Sequence, residues 1–281
     1  MMRTPLGRDD CGLALDALRA WAKPGRSTSS LHVGDVGWFL RFEEETVRSA
    51  LALWSDATGP VAVELFDDPV RRITLAPRVE ADPVLLTAVV GEIVRDGGPV
   101  ELAPESGVRT ALLQAGWTED PSPAAHFVLP LTAPIDVEFP YVLVGEADAA
   151  ARVDVQRSAF QRSTFTVARW RQMHASPAGR YAVDVLVRTP GGFAAAAAVG
   201  WFAGPGRCAV LEPVGTHPRY RRRGYGRAVV LATAEELRKL GASAVAVLPP
   251  ADNEPAVGVY RAAGFEIVGH EHTLKPPVPA S

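Results

Sequence analysis

The stretch VGTHPRYRRRGYGRAVV, residues 214–230, constrains the fold more than any other part of the chain. It begins at the end of an apolar run, RCAVLEPVGT (207–216), and crosses a turn that packs five arginines into the eleven residues 217–227. It then enters GRAVVLATAEELRKLGA (226–242), where Val229, Val230, Ala234, Leu237 and Leu240 recur at helical spacing before a stop at Gly241. Strand, glycine turn and helix in that order make an anion-binding arrangement. Gly224 and Gly226 allow close backbone approach, and successive amides at a helix N-terminus direct partial positive charge at one point. Arginines at the rim can add bidentate contacts to phosphate. The turn suits a pyrophosphate. It lacks the Lys-Ser/Thr ending of a triphosphate-binding loop, and its glycine spacing is not G-x-G-x-x-G.

The arginines are a local feature. The chain has 29 basic and 32 acidic side chains, a formal net charge of −3. A nucleic-acid binder working through counterion release is basic over a whole face, so a small ligand is expected and nucleic acid is not. At 281 residues, 47% hydrophobic and 22% charged, the chain suits two ordinary domains. Cys11 and Cys208 lie in neither metal-ligand nor redox spacing, which favours a reducing cytoplasm. The N-terminal MMRTPLGRDD carries acids where a secretory peptide would be apolar. No run approaches the roughly 18 apolar residues of a membrane span, so a cytoplasmic protein without a membrane partner is expected. His270 and His272 alternate on a terminal strand with no third ligand in view, and no metal is expected.

Around the turn the elements follow in regular order. AVDVLVR (182–188), FAAAAAVGWFA (193–203) and RCAVLEPVGT, separated by TPGG and GPG, read as an antiparallel meander. The alanine run has helical propensity, but its position between two turns predicts a strand. SAVAVLPP (243–250) reads as a short buried strand and EPAVGVYRAAGF (254–265) as a helix with Pro255 near its start. FEIVGHEHTLK (265–275) returns to strand alternation, and the tail PPVPAS is expected to fray. Two helices are expected upstream, at 147–161 and 166–174.

The first half repeats this plan in outline. GPVAVELF, RRITLAP and PVELAP read as strands, and PVLLTAVVGEIV and RTALLQAGW as helices. LAPR (75–78) aligns with THPR (216–219), and LLQAGW (112–117) with YRAAGF (260–265), which points to an internal repeat. In that alignment Glu80, Ala81 and Asp82 stand where Arg221, Arg222 and Arg223 stand, Pro83 replaces Gly224, and Leu112 replaces Tyr260. Two acids repel a pyrophosphate, so the first half is expected not to bind one there. LTAPIDVEFP (131–140) is the expected linker. DVGWFLR (35–41) is assigned aromatic packing and no chemistry.

The arginine turn, followed at the right distance by NEPAVGVYRAAGF, resembles the acetyl-CoA-binding core of the GNAT superfamily of N-acetyltransferases. The turn matches the family's Q/R-x-x-G-x-G/A loop. Asn253, Ala256, Tyr260, Gly264 and Phe265 fill the downstream N-x-x-A-x-x-x-Y-x-x-x-G-F pattern. The resemblance implies an α/β (α+β) chain of two GNAT-like domains, each a mixed, mostly antiparallel twisted sheet flanked by helices. These would be a degenerate domain at 1–133 and a working one at 134–281. It further implies acetyl-CoA as co-substrate, lying between the strands at 207–216 and 243–249. Backbone groups around Val214, Gly215 and Thr216 would meet the pantetheine arm. The amides of Arg222, Arg223, Gly224, Tyr225, Gly226 and Arg227, with the side chains of Arg221 to Arg223, would hold the pyrophosphate. Asn253 would contact the pantetheine region and Tyr260 would sit by the sulfur.

Acyl transfer to an amine needs a neutral nucleophile, whereas a lysine-like amine (reference pKa ~10) is mostly protonated near neutral pH. Glu212, four residues ahead of Thr216, is the candidate base, and Tyr260 the candidate donor to the departing sulfur. A strand glutamate can instead simply pair with an arginine, Tyr260 can be a packing residue, and Asn253 can be a helix cap. The expected acceptor is a small-molecule or peptide amine attacked directly. A non-catalytic acyl-CoA-binding or sensing protein is the alternative function, and a nucleic-acid adaptor a third. Acceptor identity, acyl-chain preference and oligomeric state have no readable signal in the sequence.

Overall fold

A computed structural model describes residues 1–23, 25 and 30–277. The end of the proline-rich tail, where fraying was expected, lies outside them. The first half contains β1 (Met2–Pro5), α1 (Gly12–Trp21), α2 (Val33–Phe39), α3 (Glu44–Ala50), β2 (Leu51–Asp56), β3 (Gly59–Asp67) and β4 (Val70–Leu75). It continues with α4 (Pro77–Ala81), α5 (Pro83–Asp96), β5 (Val100–Glu101), α6 (Gly107–Gln114) and β6 (Thr118–Glu119). The second half contains β7 (Ala124–Pro130), β8 (Tyr141–Leu143), α7 (Ala149–Ala159), α8 (Val167–Ala175), β9 (Ala182–Arg188), β10 (Ala194–Trp201) and β11 (Cys208–Thr216). It closes with α9 (Tyr225–Lys239), β12 (Ala244–Val247), α10 (Glu254–Ala262), β13 (Glu266–Glu271) and β14 (Leu274–Lys275).

These strands form two seven-stranded sheets, ordered β1-β2-β3-β4-β5-β14-β6 and β13-β7-β12-β11-β10-β9-β8. The repeat is visible in their pairing. β4 lies antiparallel to β3 and parallel to β5, as β11 lies antiparallel to β10 and parallel to β12. In each half the crossover that joins the parallel pair is helical, α4 and α5 in the first and α9 in the second, the usual form of such a connection. The alanine run is indeed a strand. Ala195 to Ala198 are almost wholly buried between β9 and β11, where small side chains let α9 pack closely over the sheet.

The sheets do not divide at residue 133. β7 precedes the linker yet inserts into the second sheet between β12 and β13, whereas the C-terminal β14 inserts into the first sheet between β5 and β6. Each half thus completes the other's sheet with an interior strand. Phe127 on β7 and Leu274 on β14 are both fully buried, each in the core of the opposite half. The proline-containing linker is docked as well. The Ile135 amide donates to Glu235 on α9 at 3.0 Å, and Phe139 packs 4.4 Å from the Tyr225 ring.

Candidate active site

The sequence VGDVGWF places two glycines three residues apart on α2, at a cost of about 1 kcal/mol each in helix propensity. Their position accounts for them. A Cβ at Gly34 would lie 2.5 Å from the Trp201 ring, and one at Gly37 would also collide with it. With bare glycines, α2 from the first half lies flat on β10 of the second. His32 caps α2 by accepting from the Gly34 amide through Nδ1, and its Nε2 meets the Cys208 carbonyl at 3.2 Å. Burial pushes the His32 pKa down, so the ring bridges the halves as a neutral donor. Trp201 in turn donates through Nε1 to the Glu212 carbonyl at 2.7 Å. The helix thereby delivers Asp35, Trp38 and the following Arg41 to the neighbourhood of Glu212.

β11 and β12 pair only from Cys208 to Val210 and then part. Pro213 on one strand and Pro249 and Pro250 after the other cannot donate across the gap. Glu212 and Pro213 also form a bulge against β10, where the register slips between Ala198 and Gly200, and a bulge re-aims its side chains. The opening continues into a cavity of about 870 Å³ whose walls come from both halves. Asp35, Trp38, Arg41, Arg72 and Glu101 line it from the first half, and Glu212, Val214, Asn253 and Tyr260 from the second. The assignment of no chemistry to DVGWFLR is therefore corrected: this segment forms one wall of the cavity.

Glu212 lies beside the Asp35 carboxyl. Burial and that neighbouring negative charge raise its pKa to about 8, against the opposing pull of Arg72 and Arg41. Asp35 is held by the Arg72 guanidinium at 2.5 Å and by the His32 amide at 2.5 Å. Arg72 also donates to Glu101 at 3.1 Å; although burial opposes its charge, the surrounding carboxylates keep it firmly protonated. Tyr260, on α10, packs against Phe127 and Phe265 at ring distances of 5.8 and 5.7 Å. Burial, with the Glu212 charge behind it, drives its pKa upward, so its hydroxyl stays a proton-bearing donor.

The arginine turn lies outside this cavity and is open to solvent. Arg221, Arg222, Arg223 and Gly224 are exposed. Arg222 (φ 60°) and Gly224 (φ 85°) both take the left-handed conformation, which curls successive amides toward one side. The first backbone bond of α9 runs from Ala228 to Gly224, leaving the amides of Gly224 through Arg227 without an intrahelical acceptor. Gly226 is packed too closely for a side chain, since a Cβ there would lie 2.9 Å from the Thr216 hydroxyl. Gly215 is likewise pressed against Ala159 and Phe160 at the end of α7.

Not every predicted contact has its side chain pointing outward. Arg221 turns back and donates to the Thr216 and Ala159 carbonyls at 3.3 and 3.2 Å, and Arg227 donates to Ala262 at 2.9 Å. Tyr225 is buried in the core beneath α9. Arg219, Arg222 and Arg223 keep exposed guanidinium groups without a hydrogen-bond or ion-pair partner among the described residues, beside the free amides at the start of α9. Asn253 caps α10 by accepting from the Ala256 amide at 3.3 Å and also lines the cavity. The cap and the ligand contact are compatible.

In the first half, side chains occupy the equivalent places. Asp82 accepts from the Val84 and Leu85 amides at the start of α5, at 2.9 and 3.2 Å. Glu80 accepts from Ser106 and from the Gly107 amide at the start of α6, at 2.8 Å each. Both helix N-termini already carry internal carboxylates. Removing the cap with Asp82→Ala is expected to lower stability by about 1 kcal/mol, measured by denaturant unfolding.

Comparison with known proteins agrees with this geometry. The Acetyltransferase (GNAT) family model matches residues 149–265. This segment is a GNAT acetyltransferase domain. Within the GNAT domain lie β11, the arginine turn, α9 and α10, hence every predicted catalytic and coenzyme-contacting residue. The tandem GNAT fold extends over the whole chain. A tandem GNAT protein from the clavulanic acid biosynthesis pathway is 18% identical, with 97% of each chain covered and a TM-score of 0.58. A GNAT-family acetyltransferase from Colwellia psychrerythraea is 13% identical over 98% of each chain, with a TM-score of 0.60. A GCN5-related N-acetyltransferase from Sphaerobacter thermophilus is 15% identical, covering 99% of this chain and 97% of that one, with a TM-score of 0.53. No curated protein sequence matches. Among the described residues no helix is long and apolar enough to cross a membrane, and no group of three or more His, Cys, Asp or Glu could hold a metal ion.

Proposed function

We propose that the protein transfers an acetyl group from acetyl-CoA directly to a primary amine of a small-molecule or peptide acceptor. The observation that carries this reading is the placement of Glu212 and Tyr260 on the wall of one cavity, where β11 and β12 separate beside the glycine turn. GNAT enzymes generally use acetyl-CoA as co-substrate, and the turn fits it. Gly224 is exposed among the free amides at the head of α9, while the stretch of β11 from Leu211 to Thr216, paired with β10 but parted from β12, offers an edge for the amide-bearing pantetheine arm.

In its ionised form the Glu212 carboxylate accepts the proton that the acceptor's ammonium must lose before its lone pair can form the new C–N bond. Tyr260 donates a hydrogen bond to the sulfur as the C–S bond breaks and negative charge develops there. No cysteine is needed as a covalent carrier: Cys11 and Cys208 are buried, and neither lines the cavity. Release of free thiol from acetyl-CoA, measured against a panel of primary amines, tests the reading. Coenzyme A binding without any thiol release would favour the non-catalytic sensor instead.

The Asp35–Glu212 pair also sets a pH dependence. Because the pKa of Glu212 is raised, its basic form is scarce below about 8 and accumulates above it, so kcat should climb with pH and level off beyond that value. Asp35→Asn removes the neighbouring negative charge and should shift the rising limb to lower pH. An unchanged limb in the variant would separate Asp35 from the titration.

A further inference from the structure

The cavity holds a cation, Arg41, that makes no direct salt bridge with any described residue. Arg72, on the same wall, is shared between Asp35 and Glu101. The Arg41 guanidinium lies 4.0 Å from the ring centroids of both Trp38 and Phe42. Nη1 donates to the Trp38 carbonyl at 2.5 Å, while Nε and Nη2 have no acceptor among the described residues. The two aromatic contacts fix the group and strip part of its hydration. Burial lowers its pKa to about 10, with Glu212 and then Asp67 the carboxylates that most offset this, so it remains charged at neutral pH.

A planar, fixed, charged fork with two free donors, on a residue that lines a cavity, matches a carboxylate. Asp35, Asp67, Glu101, Glu212 and Glu271 share the lining with Arg41, Arg72 and Arg162; this excess of carboxylates disfavours a dianion such as a phosphate monoester more than a monoanion held by the Arg41 guanidinium. We propose that the acceptor is an amino carboxylate: Arg41, clamped between Trp38 and Phe42, binds its carboxylate and so presents the amine to Glu212. This specificity reading rests on the transferase reading above, because it places the amine at the proposed base.

Binding can be tested without turnover. The full-length protein is titrated calorimetrically at low salt with N-acetylglycine, N-acetyl-β-alanine and N-acetylphenylalanine, each beside its uncharged primary carboxamide. At least one carboxylate should bind about tenfold or more tightly than its carboxamide, the difference expected of one charge-assisted pair. Arg41→Met should erase that difference, and Arg41→Lys should keep part of it; thermal unfolding of both variants confirms that they are folded. Equal affinities across all three wild-type pairs, or a preference that survives Arg41→Met, would overturn the proposal. Tighter binding of N-acetyl-1,4-diaminobutane than of every carboxylate would do the same. Thiol release is then measured with the matching free amino acids and their amides. Release that is indifferent to the carboxylate removes the Arg41 site and leaves the transferase standing. A carboxylate preference in binding without thiol release from any amine does the reverse.

Discussion

Glutamate at position 224 is expected to abolish coenzyme A binding. Gly224 has φ 85° and stands at the head of α9, where a Cβ would come within 3.4 Å of the Phe139 ring. Any L-residue there carries backbone strain of roughly 1–3 kcal/mol. Glutamate adds a negative charge among the amides of Gly224 through Arg227, the groups that would otherwise meet the pyrophosphate. Gly224→Ala separates the contributions: it retains the strain without the charge and should weaken binding only by about tenfold. Calorimetric titration of both variants with coenzyme A, with circular dichroism as a check of folding, reads the result. Wild-type affinity in the glutamate variant would remove the turn from the site.

Glu212→Gln should lower kcat by roughly 10²–10⁴-fold, the usual contribution of a positioned base. Glutamine has the same size, and the bond that fixes β11 here, from Trp201 Nε1 to the residue 212 carbonyl, belongs to the main chain and survives the change. Acetyl-CoA affinity should therefore change little, since Glu212 is assigned to the amine. The rise of kcat toward pH 8 should vanish in the variant, because the side chain that titrates is gone. Steady-state thiol release across pH 6 to 10 (roughly the range around that pKa) measures both effects. A loss smaller than tenfold, with the pH profile intact, would place the base elsewhere.

Much of the second half was legible because its signals are local. A strand, a glycine turn and a periodic helix lie within residues 207–242, and the structure forms β11 and α9 there. Leu75 and Thr216 likewise end equivalent strands, so the repeat followed from short anchors. What escaped depends on contacts between distant segments. The AAHFVLP run that becomes β7 looks like the approach to a linker; its partners β12 and β13 lie more than a hundred residues away. Expected strands 99–104 and 243–250 shrink to Val100–Glu101 and Ala244–Val247, because pairing ends where the sheets open and prolines intervene. Asp35 and Arg41 were overlooked since nothing in DVGWFLR alone tells which cavity it will face. One clue was present: two glycines three apart in a helix imply a close neighbour, here Trp201. Arg221 misled in the opposite direction, as a side chain beside a ligand loop can serve the loop's own carbonyls first.

The traded strands bear on why a half with no glycine turn of its own would persist. Excising residues before the linker would take Phe127 out of the GNAT domain's interior and leave a slit between β12 and β13. Losing the last few residues would unzip β5 from β6 in the other sheet. Neither duplicate can be discarded without unmaking its twin, and mutations are tolerated in one only so far as both still fold. Such interdependence preserves a half whose helix start is already capped by Asp82, and on the proposed reading its surface near Asp35 and Arg41 is available to vary with the acceptor.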